Sequence, residues 1–384
     1  MFVKASGRLE YIDWMRGLAC ILMFQTHCYD SWLRPAARAG HFYRLSQLGG
    51  TLPAPIFIFL AGVSSAFVTE RLRAKGLSPA EIVRKTFRRG ALIFGAGLLF
   101  RLQEFALGWP GAPWTDLLRP DVLNILGLSM MLMALLVLLS APLRFDRQGQ
   151  PGAEERSRWT EATIAAAVAL LISLATPPLW TTHRPRWLPW FLESYINGVH
   201  IYNQPQSWLF PLFPWAAFAF AGLAVGFALR SARLKGPSAT GPVILGVLGA
   251  ALGIFALWWD ARPGRFYSSY DFWRTSPSFF LLRTGLLLVI LFFGYAWCRW
   301  GLGASRFRPL IQLGNTSLLV YWVHIEFVYG RFSILAKKQQ GIRAASVGLL
   351  VISFAMLALS VLRTWWKSRG AKVSLKYPAP APAP

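Results

Sequence analysis

The sequence predicts an all-α, polytopic membrane bundle of about ten transmembrane helices with both termini in the cytoplasm. Three observations carry that reading. Apolar residues make up 55% of the chain and charged residues only 15%, well under the ~25% of ordinary globular chains. Apolar runs of about 20 residues, the length that crosses a hydrocarbon core, recur along the chain. The 40 Lys and Arg outnumber 16 Asp and Glu for a net charge of +24, and these cations lie between the apolar runs, where bilayer topology is written. A basic soluble chain would suggest nucleic acid. Cations parted by apolar spans exclude that partner, and the composition also excludes a secreted disulfide scaffold and a coiled coil.

Ten runs qualify as spans: 12–33, 50–69, 89–107, 121–141, 161–179, 208–229, 241–259, 277–298, 309–330 and 344–363. Lys4 and Arg8 lead into the first, which is too long for a signal-peptide core and has no small-residue cleavage site, so an uncleaved helix is expected. Odd-numbered connections carry few cations: Arg34, Arg38 and Arg44 in the first, Arg119 in the third, Arg184 and Arg186 in the fifth. The second alone carries Arg71, Arg73, Lys75, Arg84, Lys85, Arg88 and Arg89, and the tail adds Lys367, Arg369, Lys372 and Lys376. This bias orients a multi-pass protein of the inner (cytoplasmic) membrane with both ends inside. The ninth connection, with Arg331, Lys337, Lys338 and Arg343, runs against it.

The fifth connection, residues 180–207, is the longest outer one and holds His183, Glu193 and His200. Trp180, Trp187 and Trp190, with Trp208 at the start of the next span, read as an interfacial platform. The stretch PIFIFLAG at 55–62 is faintly echoed by PWAAFAFAG at 214–222. Residues 1–366 are expected to form a single transmembrane domain, and 367–384 a basic, then Pro/Ala-rich, disordered tail ending in PAPAPAP. Cys20, Cys28 and Cys298 form no framework and read as small buried side chains.

Ionisable groups inside a bilayer are expensive, which makes each a functional hypothesis. The first span contains Asp13, Arg16 and His27. At about 100° per residue Arg16 and His27 share a helix face, roughly 16 Å apart along the axis. Arg16 then sits near the cytoplasmic end and His27 in the outer half; an Asp13–Arg16 ion pair is the bland alternative. The same topology places Arg101 and Glu104, Asp121 and Asn124, Tyr321, His324 and Glu326, and the loop residue His41 at the outer side. Arg16, Lys85, Arg88 and Arg89 form an inner cationic set suited to phosphates. Outer histidines suit general-base work near neutral pH. No Gly-rich phosphate loop, HExxH, CxxC pair or GxSxG occurs, so neither a metal site nor serine-elbow chemistry is expected.

Four segments carry a family resemblance. RLEYIDWMRGLACILMFQTH at 8–27 resembles the opening signature of the transmembrane acyltransferase superfamily, where an Arg-Gly pair precedes a His eleven residues after the Arg, as in acyltransferase family 3. RPDVLNILGLSMML at 119–132, FPLFPWAAFAFAGLAVG at 210–226 and LGNTSLLVYWVHIEFVYG at 313–330 are similar to the bacterial branch related to heparan-α-glucosaminide N-acetyltransferase. The resemblance implies ten or eleven helices, a cytoplasmic acyl-CoA donor, usually acetyl-CoA, and an extracytoplasmic sugar acceptor. It implies no permanently bound cofactor. In that family's lysosomal enzyme the catalytic His follows the first helix, upstream of an apolar F-x-x-G segment. His41 matches that place, 21 residues before Gly62, and the same enzyme has Asn where His27 stands. Both histidines therefore remain candidates, with His27 favoured by its spacing from Arg16.

The expected activity is transfer of an acetyl or other short acyl group from acyl-CoA to a sugar hydroxyl or amine, with a histidine as general base or transient acyl carrier. The catalytic set is His27, His41, Glu104 and Asp121, the acidic pair serving to orient the base. Donor phosphates fall to Arg16, Lys85, Arg88 and Arg89, and the acceptor to Arg101, Asn124, His324 and Tyr321. The partners are the bilayer, the acyl-CoA donor and a carbohydrate acceptor; a homodimer stays open. The alternative is a proton-coupled transporter or channel with a polar His/Glu pathway, distinguished by substrate flux without acyl transfer.

Overall fold

The computed structural model describes residues 9–145, 152–201, 203–204, 206, 209–231, 240–262, 267, 270–300 and 308–376. Trp208 and the PAPAPAP end lie outside them. The described residues contain no strands, and their helices follow one another as α1 (Glu10–Trp32), α2 (Pro35–Arg38), α3 (His41–Gly50), α4 (Pro53–Arg73) and α5 (Pro79–Gly108). A 3-10 turn at Trp114–Leu118 precedes α6 (Val122–Leu139), α7 (Ala141–Phe145), α8 (Ala153–Trp180), α9 (Trp190–Asn197) and α10 (Leu212–Arg230). The chain continues through α11 (Thr240–Asp260), α12 (Pro277–Trp300), α13 (Pro309–Asn315), α14 (Ser317–Val328) and α15 (Ile342–Lys376).

Eight helical stretches are long and apolar enough to cross a bilayer: α4 with α3 leading into it, α5, α6 with its 3-10 turn, α8, α10, α11, α12 and α15. They correspond to eight of the ten expected spans, and the protein is an all-α polytopic membrane bundle. The other two expected spans differ for chemical reasons. The 23 residues of α1 reach about 35 Å, yet Glu10, Asp13, Arg16 and Asp30 dilute its apolar character. The run 309–330 is not one helix but α13 and α14, parted at Thr316 (φ −123°, ψ 23°). Its hydroxyl donates to Ser360 Oγ at 2.6 Å, while Gln312 Nε2 donates to the Ser360 carbonyl at 2.9 Å. A broken helix is tolerated in a membrane where such side chains satisfy the freed polar groups.

Other boundaries also move. The cations Arg84, Lys85, Arg88 and Arg89, expected in a loop, lie on the first turns of α5. Ser78 caps that helix in a capping box with Glu81, and Pro79 occupies its first turn, so it starts ten residues before the apolar run. His41, expected in a loop, opens α3, and residues 367–376 extend α15.

The chain forms two compact units, Met1–Pro53 with Trp297–Pro384, and Ala54–Ala296. In the first, α1 packs on α13: a Cβ on Gly17 would stand 1.8 Å from the Leu310 carbonyl oxygen, and one on Gly314 1.9 Å from that of Asp13. The C-terminal end of α1 is closed by the 338–340 segment, where the Lys338 and Gln340 amides donate to the Ser31 and Trp32 carbonyls at 2.9 and 2.8 Å. In the second, α5 packs on α6 and α10 on α8. The two echoing segments meet there, since Gly62 lies against the Ala219 carbonyl and Gly222 against that of Phe59. Small residues permit such backbone contact where lipid removes the hydrophobic drive to associate. Cys20 and Cys28 are buried, and no cysteine is bridged among the described residues.

Candidate functional site

His27 lies nearly five turns into α1, half-buried, and meets His324 of α14. The rings meet edge to edge with planes 8° apart and centroids 5.1 Å apart, and His27 Nδ1 stands 2.9 Å from His324 Nε2. His324 is fully buried, and its Nδ1 lies 2.9 Å from the Val320 carbonyl. A carbonyl only accepts, so His324 Nδ1 carries the proton. With both rings neutral, His324 Nε2 is then the acceptor, His27 Nδ1–H the donor, and the His27 lone pair sits on Nε2. The tautomer of His27 follows from one backbone carbonyl. Phe24 and Tyr321 close the sides of the His324 ring at 4.9 and 6.0 Å between centroids.

The edge of the cluster is polar. Tyr329 packs edge-on against His27 at 5.3 Å and donates its hydroxyl to Asp30 Oδ2 at 2.9 Å. Asp30 Oδ1 accepts from Arg38 Nη2 at 2.5 Å, and Arg38 also donates to the Tyr43 hydroxyl at 3.0 Å. Lys338 Nζ approaches the same carboxylate to 3.8 Å. Asp30, Tyr43 and Tyr329 were not among the expected site residues; Asp30 follows His27 by three positions, the same-face spacing of a helix, and that signal was present in the sequence.

Arg16, at the other end of α1, makes a 3.0 Å ion pair with Asp13. The bland alternative is thus realised, although Arg16 remains 23% exposed. His41 stands exposed on the first turn of α3.

The remaining expected residues belong to the second unit. Asp121 and Asn124 form a capping box at the start of α6: Asp121 Oδ1 accepts from the Leu123 amide, and Asn124 Oδ1 from the Asp121 amide, both at 3.0 Å. Asn124 Nδ2 also donates to the Phe94 carbonyl at 3.0 Å. The other oxygen of Asp121 pairs with Arg101, which also pairs with Glu104. Arg119 continues this ladder of alternating charge to Asp116 at 3.7 Å. The acidic pair expected to orient a histidine is engaged by Arg101, and Asp121 and Asn124 by the start of α6. Replacing Asn124 by Ala removes both a cap and a tie to α5. A loss of about 1 kcal/mol is expected, read as a lower unfolding midpoint of the purified protein. Lys85, Arg88 and Arg89 are exposed on α5.

The 180–206 connection holds a second clasp. Arg184 donates from Nε and Nη2 to the two Glu193 oxygens at 2.9 and 3.3 Å, and Asn197 Nδ2 adds a third bond at 2.9 Å. Burial alone would raise the Glu193 carboxyl, but Arg184 and Asn197 outweigh it and hold it below the usual carboxylate range. A folded pKa under the unfolded one stabilises fully above the unfolded value and fades as pH falls through the folded one. Hydrogen exchange of the α9 amides, corrected for intrinsic rates, should therefore stay slow at neutral pH and accelerate below about pH 4. Exchange in α9 that tracks only the intrinsic rate would show the clasp to be inert. His200 packs edge-on against Trp190 at 4.9 Å, and burial pushes its pKa below the ordinary value.

No metal-binding group of His, Cys, Asp and Glu is present among the described residues. No curated protein matches the chain. The opening signature and both candidate histidines fall in residues 8–146, and that stretch matches the family model described as heparan-alpha-glucosaminide N-acetyltransferase, catalytic; over it the chain resembles the catalytic domain of that family.

Proposed function

We propose that the first unit carries the catalytic histidine of a membrane-embedded acyltransferase. The enzyme moves an acetyl or other short acyl group from a cytoplasmic acyl-CoA to an extracytoplasmic sugar hydroxyl or amine. The observation that carries the reading is the His27–His324 pair, which leaves a lone pair on Nε2 of a half-buried imidazole. The match over residues 8–146 supports the transferase class.

In this reading His27 Nε2 removes the acceptor proton as the acceptor oxygen or nitrogen attacks the thioester carbonyl carbon. The C–S bond breaks, and the departing thiolate receives the proton from the imidazolium. His324 Nε2 accepts from His27 Nδ1–H throughout, which fixes the ring and eases its positive charge, the part a carboxylate plays in a catalytic triad. The same Nε2 atom serves if the acyl group first rests on the histidine. Arg16, about 16 Å along the helix from His27, is the cation given to the donor's phosphates, with Asp13 holding its side chain in place.

Two measurements test the assignment. Saturable binding of acetyl-CoA to the purified chain, weakened when the donor lacks its phosphates, is expected. Transfer of labelled acetyl to a soluble amino sugar should accompany it. Uptake of a substrate into vesicles without any acyl transfer would instead favour the transporter reading.

A further inference from the structure

The α5 helix has two sharply separated sides. Ile82, Val83, Thr86, Gly90, Gly97, Phe100 and Arg101 are buried and fall within about 100° of the helix circumference. Arg84, Lys85, Arg88 and Arg89 are all exposed; Arg84, Lys85 and Arg88 lie in the opposite half of the helix, and Arg89 flanks the buried stripe. Below them that sector continues as Leu92, Leu98, Leu99 and Leu102, exposed at 67, 42, 57 and 53%. Arg84, Arg88, Leu92, Leu99 and Leu102 form a column within about 80° of one another. From Arg88 to Leu102 the column runs about 21 Å along the axis. Glu81, the acidic residue of this turn, is committed to Ser78, which donates to it from both its amide and its hydroxyl at 2.9 Å. Among the described residues none of the four cations forms an ion pair.

We infer that this face of α5 is a binding site for an anionic phospholipid, its phosphate among Arg84, Lys85, Arg88 and Arg89 and its acyl chains along the leucines below. Charge complementarity selects the head group, since cations near a bilayer surface each attract anionic lipid. The leucine column selects an amphiphile over a water-soluble nucleotide, because a phosphate bound at this end places whatever it carries against an outward apolar surface. The site is independent of the acyl-transfer reading, which uses α1 and α14.

The test uses the full chain in nanodiscs of phosphatidylcholine with and without phosphatidylglycerol. Phospholipid that stays with the protein after detergent extraction is identified by native mass spectrometry. Wild-type protein should retain phosphatidylglycerol over phosphatidylcholine, and the combined R84Q, K85Q, R88Q and R89Q variant should lose that preference about tenfold or more. Raised salt should weaken retention by the wild type and leave the variant unmoved. An unchanged unfolding midpoint in pure phosphatidylcholine verifies that the variant folds. Equal preference in the two proteins overturns the proposal. So does a variant that keeps its lipid preference and loses acetyl-CoA binding, which would return these cations to the donor.

Discussion

Replacing His27 by Ala is expected to lower kcat for acetyl transfer about 10²–10⁴-fold, the range a positioned general base supplies. Acetyl-CoA binding should change little, because the phosphates are assigned to Arg16 and not to the imidazole. His324→Phe sharpens the test. Phe keeps an aromatic ring against Phe24 and Tyr321, and removes the nitrogen that accepts from His27 Nδ1. This positioning role predicts a large fall in kcat with a small change in KM, and a displaced acidic limb of the pH–rate profile. A purely structural role would instead lower the amount of folded protein and leave that limb in place. His41→Ala is expected to transfer at near the wild-type rate, since His41 stands exposed on α3. Wild-type transfer by the His27 variant, with loss in the His41 variant, would move the base to His41.

Much of the bundle was legible because bilayer spans are written locally. A run of about 20 apolar residues needs no knowledge of its neighbours, and eight such helices stand where runs were expected. Helix starts were less legible where charge was taken to end a span. Ser78, Pro79 and Glu81 announce the beginning of α5, and the helix carries its cations past the apolar run. The Asp121-x-x-Asn124 pattern ahead of an apolar run is likewise a capping signature, a signal that assigning Asp121 to catalysis and Asn124 to the acceptor leaves unused. His27 and His324 were each visible as ionisable groups in spans, but their contact joins positions 297 residues apart. Nothing in local periodicity encodes such a pairing. It depends on the close seating of α13 on α1, where Gly17 and Gly314 let the backbones touch, and α14 follows directly from α13.

Glu70 and Glu161 escaped notice for the same reason, and they support the largest stability effect expected in the second unit. Replacing Glu161 by Ala should destabilise the protein by about 3–5 kcal/mol, the usual consequence of leaving a buried charge without its partner. Glu161 and Glu70 side chains are each 3% exposed. Arg73, at the end of α4, reaches Glu161 of α8 through two bonds of 2.8 and 2.5 Å and Glu70 through a third of 2.9 Å. Arg158 donates to the far oxygen of Glu70 at 2.6 Å. Deleting Glu161 leaves Arg73 with Glu70 alone, while Arg158 already competes for that carboxylate. The cost is therefore desolvation of a guanidinium and not merely a lost attraction, which separates this cluster from a surface ion pair of at most about 1 kcal/mol. Two controls follow from that physics. The effect should persist at raised salt, where exposed pairs fade. Replacing Arg73 and Glu161 together with Leu and Met should recover part of the loss, because an apolar pair leaves no stranded charge. Unfolding midpoints in detergent at low and high salt decide the matter: a Glu161→Ala variant as stable as the wild type would mean that water reaches Arg73.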